Sequence, residues 1–365
     1  MSINDNLSLV LHKTGDLRLE NKELPIATEP GPNEVLCKTH SCGICGSDIS
    51  LWKKGGIGQY VINQPQVLGH ECSALVVKVG VNVKHLVAGD RVAIEPAVPC
   101  RRCNYCKTGI YNHCPMANIQ LKGVPPMPGM LCRQFTHPAD FCFKLPANIT
   151  YEEGAMVEPL TVAVQAVRRV KLTIGQSVLI CGAGTIGQMC LAVAKAYGAA
   201  KVIITDINEF RLNVAKQMGA DQTILIDPTK SSTDDGIDDI IHQILGNERG
   251  QGVDVTLECT GSENSTQVAI NSTRKAGKVG LIGLGPQQVT VPLVTVAIRE
   301  LDIVGVFTYR NCFPMAIHLL ETGKVNIKSL VTHKYRLEQS MDAFNKMIEP
   351  DNNAIKIQIQ CNKDF

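Results

Sequence analysis

The 365-residue sequence predicts an α/β protein of two domains, one β-rich and loop-rich, the other a doubly wound parallel sheet. Three observations carry that prediction. From about residue 177, short β-branched apolar runs alternate with helical patterns, as successive βαβ units require. Before residue 155, Gly and Pro clusters near 29–32, 55–58, 89–90 and 125–129 cut the chain into short strands and turns. A turn of the form Gly-x-Gly-x-x-Gly closes the first strand of the second region and opens a helix.

Taken in order, the second region is expected to form strands near 177–181, 201–206, 222–226, 253–258, 278–282 and 302–307. Helices are expected near 186–197, 209–218, 236–245 and 265–274, several of them stopped by a glycine such as Gly198, Gly219 or Gly246. A mixed pattern returns near residue 303. The domain reading is therefore 1–159 with 303–365 for the β-rich part and 160–302 for the parallel sheet.

Composition excludes several classes of function. Lys and Arg number 36 against 34 Asp and Glu, so the chain as a whole presents no field that would gather nucleic acid or anionic lipid. Apolar residues at 44% and charged residues at 19% describe an ordinary globular protein. The first sixteen residues carry only a five-residue apolar run, Leu7 to Leu11, with neither a basic leader nor a spanning segment. The expectation is a soluble cytoplasmic protein acting on a small molecule. Fifteen cysteines in a chain of this length suit buried thiols and metal ligands better than a disulfide scaffold.

Three motifs carry chemistry. In Gly182-Ala183-Gly184-Thr185-Ile186-Gly187, the first glycine permits a tight turn, the second lets backbone approach a pyrophosphate, and the third lets helix and strand pack. Asp206 ends the next strand, where an acidic side chain accepts from ribose hydroxyls and repels a 2′-phosphate, so NAD is favoured over NADP; Arg211 follows near the adenine. Cys100, Cys103, Cys106 and Cys114 have the spacing of four thiolates converging on a closed, structural zinc, with an iron–sulfur cluster as the lesser alternative. Cys45, His70, Glu71 and Glu158 offer a thiolate, an imidazole and carboxylates, the donors of a catalytic zinc with an open position. From spacing alone this third set stays open: a lone cysteine is usually core, Glu71 could cap a turn and Glu158 could be a solvated helix residue.

The segments GICGSD, VLGHE, VAGDRVAIEP, EEGAMVEPL, VLICGAGTIGQ, TDINEFRL, ECTG and IRELDIVGVF, in this order, resemble the zinc-containing medium-chain dehydrogenases, and among them the polyol dehydrogenases. The resemblance implies a GroES-like catalytic domain completed by the C-terminal segment, a Rossmann domain, an active site in the cleft between them, and a homotetramer. It implies that Cys45, His70 and Glu71 hold the catalytic zinc, with Glu158 beside the metal's open position and able to enter its shell. Ile186, Asp206 and Arg211 match contacts to pyrophosphate and adenosine, while Ile282, Gly283, Leu284, Val306, Phe307 and Thr308 match the nicotinamide side. Ser47 is the first candidate for the path by which the alcohol proton leaves.

Departures from the family pattern fall at the substrate. Ser50 and Leu51 stand where the family carries a histidine of the proton path and a tyrosine at substrate. Phe307-Thr308-Tyr309 lacks the arginine of the family's Phe-Arg-Tyr, and Gly123-Val124-Pro125-Pro126 replaces its Ala-Thr-Pro-Pro. Leu51, Glu158, Thr308 and Tyr309 are thus the expected substrate positions. The expected reaction is a reversible NAD-linked oxidation of a polyol to a ketose. The alternatives are the same chemistry on a less hydroxylated secondary alcohol, or a cofactor-binding relative with little turnover.

Overall fold

The computed structural model describes residues 6–21, 29–58, 60–116, 121–229, 233–246, 252–349 and 353–362. The chain divides into two compact units, Met1–Glu158 with Arg310–Thr322 and Val331–Phe365, and Pro159–Tyr309 with Gly323–Leu330.

In the first unit, the strand Glu34–Gly43 is the hub. It pairs antiparallel with Glu71–Val79 on one side and with the C-terminal strand Lys356–Gln360 on the other, and its N-terminal half also pairs with Gln134–Pro138. Arg91–Ile94 and Cys142–Lys144 extend the sheet at one end, and Val331–Arg336 at the other. A second, three-stranded sheet joins Leu7–Lys13 to Asp16–Asn21 and Gln66–Val67. The core between them gathers Leu9, Leu11, Ile44, Leu68, Ile94, Leu131, Phe344, Ile357 and Ile359, and six buried cysteines pack among these as small hydrophobes. Strand register sets Gly43 opposite Glu71 in one pairing and opposite Gln358 in the other, so the first and last strands of this sheet meet beside the same carboxylate.

The second unit is a six-stranded parallel sheet. Its order in space is Gln222–Leu225, Lys201–Asp206, Ser177–Cys181, Val253–Glu258, Thr273–Leu281, Asp302–Gly305. The order reverses beside the first strand, which is the topological switch point where α/β sheets take their ligands. Val178, Leu179, Ile180, Val202, Ile203, Ile204, Val255 and Leu257 are all buried, as expected for strands covered on both faces. Helices Thr185–Ala196, Glu209–Gln217, Asp234–Leu245 and Glu263–Ser272 make the crossovers. Asn208, Thr233 and Ser262 cap three of them by accepting from the third helical N–H; the first starts at its expected position, 209, and the other two start at 234 and 263, each two residues before the expected position.

The expected return to the first domain at residue 303 falls inside a strand. Asp302–Gly305 pairs residue for residue with Lys278–Leu281, and Val306 N–H donates to the Leu281 carbonyl at 3.0 Å, so the second unit runs on to Tyr309.

Candidate active site

The first unit brings Cys45, His70 and Glu71 together: one ligand atom from each lies within 4.8 Å of the others. Local sequence explains how. Strand Glu34–Gly43 ends two residues before Cys45, which is the N-cap of helix Gly46–Lys54. Glu71 begins strand Glu71–Val79, and Gly69, at φ +93, turns the chain into it. Asp48 fastens the two loops: its carboxylate accepts from the Cys45 N–H at 2.9 Å and from the Gly69 N–H at 3.3 Å, and it is fully buried. One Asp48 oxygen also stands 3.8 Å from His70 Nδ1, and that nitrogen is buried without a hydrogen-bond partner. Ser47 Oγ lies 3.5 Å from His70 Nε2. Burial disfavours the imidazolium, yet the charges of Asp48, Cys45 and Glu158 outweigh it and hold the His70 pKa well above its usual range.

A soft thiolate, an imidazole and a carboxylate that converge, the last two buried, fit an open zinc site, and the anionic surroundings of His70 are what a divalent cation would offset. Glu158 is not one of the convergent three. It is half-buried in the first turn of helix Val157–Arg169, and its charge is felt by His70 and Lys356.

Cys100, Cys103, Cys106 and Cys114 form the second convergent group. Sulfurs 3.9 Å apart (Cys100 and Cys106) and 3.5 Å apart (Cys103 and Cys106) bracket the tetrahedron edge of about 3.8 Å that 2.3 Å zinc–sulfur bonds require. Arg101 at φ +64 makes the turn, and backbone N–H groups of Arg102 and Cys103 stabilise the Cys100 thiolate, pulling its pKa down to about 6. Four thiolates leave no position for a substrate, so this set is a structural one.

In the second unit the glycine turn has the shape its spacing predicts. Gly182 sits at φ +94, and a Cβ at Gly187 would come 1.8 Å from the Gly182 carbonyl oxygen, so helix and strand pack only because both are glycine. A Cβ at Gly184 meets nothing within 4 Å: that glycine faces open space, where a pyrophosphate would approach the helix N-terminus. Asp206 accepts from the Ala183 N–H at 2.6 Å and the Asn208 N–H at 2.9 Å, which ties the acidic side chain to the glycine turn. Arg211 Nε is buried without a hydrogen-bond partner. Ile186 is the second residue of helix Thr185–Ala196, in its first turn. A Cβ at Gly283 would meet the Gly261 N–H at 2.1 Å, Ile282 and Val306 are buried, and Leu284 and Phe307 are exposed. Thr308 occupies the left-handed region at φ +45.

One expected substrate position lies in the core. Leu51 is fully buried with Trp52 in the hydrophobic core, because positions 48, 51 and 52 form the inward stripe of helix Gly46–Lys54. Its side chain is spent on packing. Tyr309 is also buried, at 3% exposure. Two residues of the site, Asp48 and Lys356, have roles that the sequence alone does not reveal. Their signals are an Asp three residues after the cap position and a single lysine at the start of the C-terminal strand Lys-Ile-Gln-Ile-Gln, between Ile355 and Ile357.

Family models match both halves of the chain: an alcohol dehydrogenase GroES-like domain over residues 31–147 and a zinc-binding dehydrogenase over residues 185–322. Human sorbitol dehydrogenase is 49% identical over 357 residues, 98% of this chain and 96% of that protein. The chain belongs to the zinc-containing medium-chain dehydrogenases. Among solved structures, this dehydrogenase superposes on an Escherichia coli oxidoreductase of unknown specificity with a TM-score of 0.89 at 33% identity, over 98% of this chain and 99% of that one. It also superposes on 2R,3R-butanediol dehydrogenase from Bacillus subtilis with a TM-score of 0.85 at 30% identity, over 98% and 100%. The dehydrogenase is a zinc-dependent enzyme with a GroES-like and a Rossmann-type domain.

Proposed function

We propose that this dehydrogenase oxidises a secondary hydroxyl of a polyol to a ketone, reversibly and with NAD. The observation that carries the reading is the convergence of Cys45, His70 and Glu71 in a chain 49% identical to human sorbitol dehydrogenase. Those three residues hold the catalytic zinc; Glu158 is poised beside it, and Cys100, Cys103, Cys106 and Cys114 hold a structural one. Bound there, zinc would supply the Lewis acidity for an alcohol to lose its proton near neutral pH, and NAD would supply the hydride acceptor. Ser47, against the His70 ring, relays the departing proton, accepting it while passing its own hydroxyl proton on to water, because a hydroxyl both accepts and donates. Gly182, Gly184 and Gly187 admit the pyrophosphate to the helix N-terminus. Asp206 binds the ribose hydroxyls and disfavours a 2′-phosphate.

A second reading has its own support. The similarity to a butanediol dehydrogenase and the threonine at 308 favour a substrate with fewer hydroxyls. Following NADH formation at saturating NAD over sorbitol, xylitol, 2,3-butanediol and 2-butanol tests both. The polyol reading expects the highest kcat/KM on the first two, and the second reading on the last two. Turnover of none would mark a relative that binds cofactor without catalysis.

Homo-oligomerisation, to a tetramer, is part of the proposal. The strand Asp302–Gly305 is an edge strand of its sheet, and Leu284, Leu293, Val294 and Ile298 nearby in sequence are each at least 69% exposed. A second copy pairing across a two-fold axis would cover them. No helix among the described residues is long and apolar enough to cross a membrane. Free thiols throughout the chain and two thiolate-bearing metal sets suit the reducing cytoplasm, which we propose as the compartment.

A further inference from the structure

Lys356 is the one cation of the strand Lys356–Gln360, and it is 2% exposed. Its ammonium donates to both oxygens of Glu71, at 2.7 and 2.6 Å, and to the Ile44 carbonyl at 3.0 Å, so all three of its hydrogens are used. The Ile44 carbonyl belongs to the residue just before Cys45. On the other side of Glu71 lies Gly43, where a Cβ would come 2.0 Å from the carboxylate. The carboxylate is therefore wedged between a backbone with no side chain and a buried ammonium. Packing alone gives no reason for the lysine: Ile355 and Ile357 on either side are buried hydrophobes, and a methionine would fill the same space without desolvating a charge.

We propose that Lys356 is a positioning residue for the open metal set, aiming the Glu71 carboxylate and fixing the backbone that carries Cys45. The proposal rests on reading Cys45, His70 and Glu71 as metal ligands. Each carboxylate oxygen has two lone pairs, so the ammonium engages one on each and leaves the other available to a cation. Hydrogen bonds to ligating carboxylates set ligand orientation, and losing such a partner typically costs about 10–100-fold in metal affinity.

The test is a zinc competition against a colorimetric chelator on the purified full chain, resolving the open set from the four-cysteine set. Lys356→Met is expected to weaken zinc at the open set by about 10–100-fold while the four-cysteine set keeps its affinity. Glu71→Gln should weaken the open set too. The double variant should bind no worse than Glu71→Gln alone, to within about twofold, because Lys356 acts through that carboxylate. Should the single variant fold poorly, the double variant removes both charges together and Lys356→Arg retains the cation; Lys356→Arg is expected to stay closer to wild type than Lys356→Met. The proposal is overturned if Lys356→Met binds zinc as tightly as wild type, if both metal sets weaken together, or if the two losses multiply in the double variant. Unchanged zinc binding by Glu71→Gln and Cys45→Ser would instead remove the metal reading beneath it.

Discussion

At the scale of single residues, two positions are held against their intrinsic preferences. Thr308 is β-branched and sits at φ +45, a conformation that costs of order 1–3 kcal/mol and persists only where the surroundings impose it. It stands where polyol dehydrogenases carry an arginine. An unbranched side chain relieves the crowding, so Thr308→Arg is expected to leave the melting temperature unchanged or higher. A hydrogen bond from a charged donor is worth about 1.5–3 kcal/mol, so the variant should raise kcat/KM for sorbitol or xylitol about tenfold or more relative to 2-butanol. Equal changes on all alcohols would show that position 308 does not read hydroxyls. Glu95 is the second position. Burial raises its carboxyl pKa to about 7, against the Tyr111 hydroxyl that donates to it at 2.7 Å, and the charges of Glu158 and Asp140 add to the rise. A carboxyl whose pKa is higher in the folded state binds more protons there than when unfolded. Its stabilising effect is complete below pH 4.5 and is lost as pH rises through about 7. Glu95→Gln keeps an acceptor for Tyr111 and should stabilise the protein above pH 7.5, by up to about 3 kcal/mol, with little gain at pH 5. Melting curves of both proteins from pH 5 to 8.5 check the crossing.

At the scale of elements, the four-cysteine lobe is too short to hold itself. Its helix, Asn104–Lys107, is a single turn, far below the length at which helices form alone. Side-chain links tie the lobe to the rest of the unit: the Tyr111 hydroxyl donates to Glu95 and accepts from the Asn311 N–H, both at 2.7 Å, Asn311 Nδ2 donates to the Gly109 carbonyl at 3.2 Å, and Arg101 pairs with Asp140 at 2.7 Å. The remaining order has to come from the metal, whose binding energy becomes folding energy. Metal analysis should find two zinc ions per chain. A mild chelator should take the open-set zinc and the activity together, while Cys103→Ser should release the other and make the lobe susceptible to limited proteolysis. A single equivalent of zinc in the wild type, or iron absorption, would refute the assignment.

For the molecule as a whole, the edge strand Asp302–Gly305 and the exposed apolar side chains near it in sequence are a liability that the proposed association would resolve. Ile303 on that strand is 41% exposed, and Ile303→Lys places a charge where a second copy would pair. Light scattering at micromolar concentration should show a tetramer for the wild type and smaller species for the variant. A monomeric wild type would defeat the oligomer proposal.

Much of this protein can be read from local spacing. The alternation of strand and helix after residue 177, the glycine turn at 182–187 and the four cysteines at 100–114 each depend on neighbours within about fifteen residues, and such patterns survive in one dimension. The donors Cys45, His70 and Glu71 are visible as residue types, but their meeting is not, since it needs the antiparallel register that sets Gly43 against Glu71. Helix phase and core shape, rather than the identity of the neighbouring motif, send Leu51 inward. Strand pairing, rather than the change of pattern at residue 303, decides where the second unit ends. The ion pair of Glu71 with Lys356 joins residues 285 apart in the chain. A lysine between two isoleucines announces only that, once buried, it must find a partner, and which partner is decided when the fold closes over it.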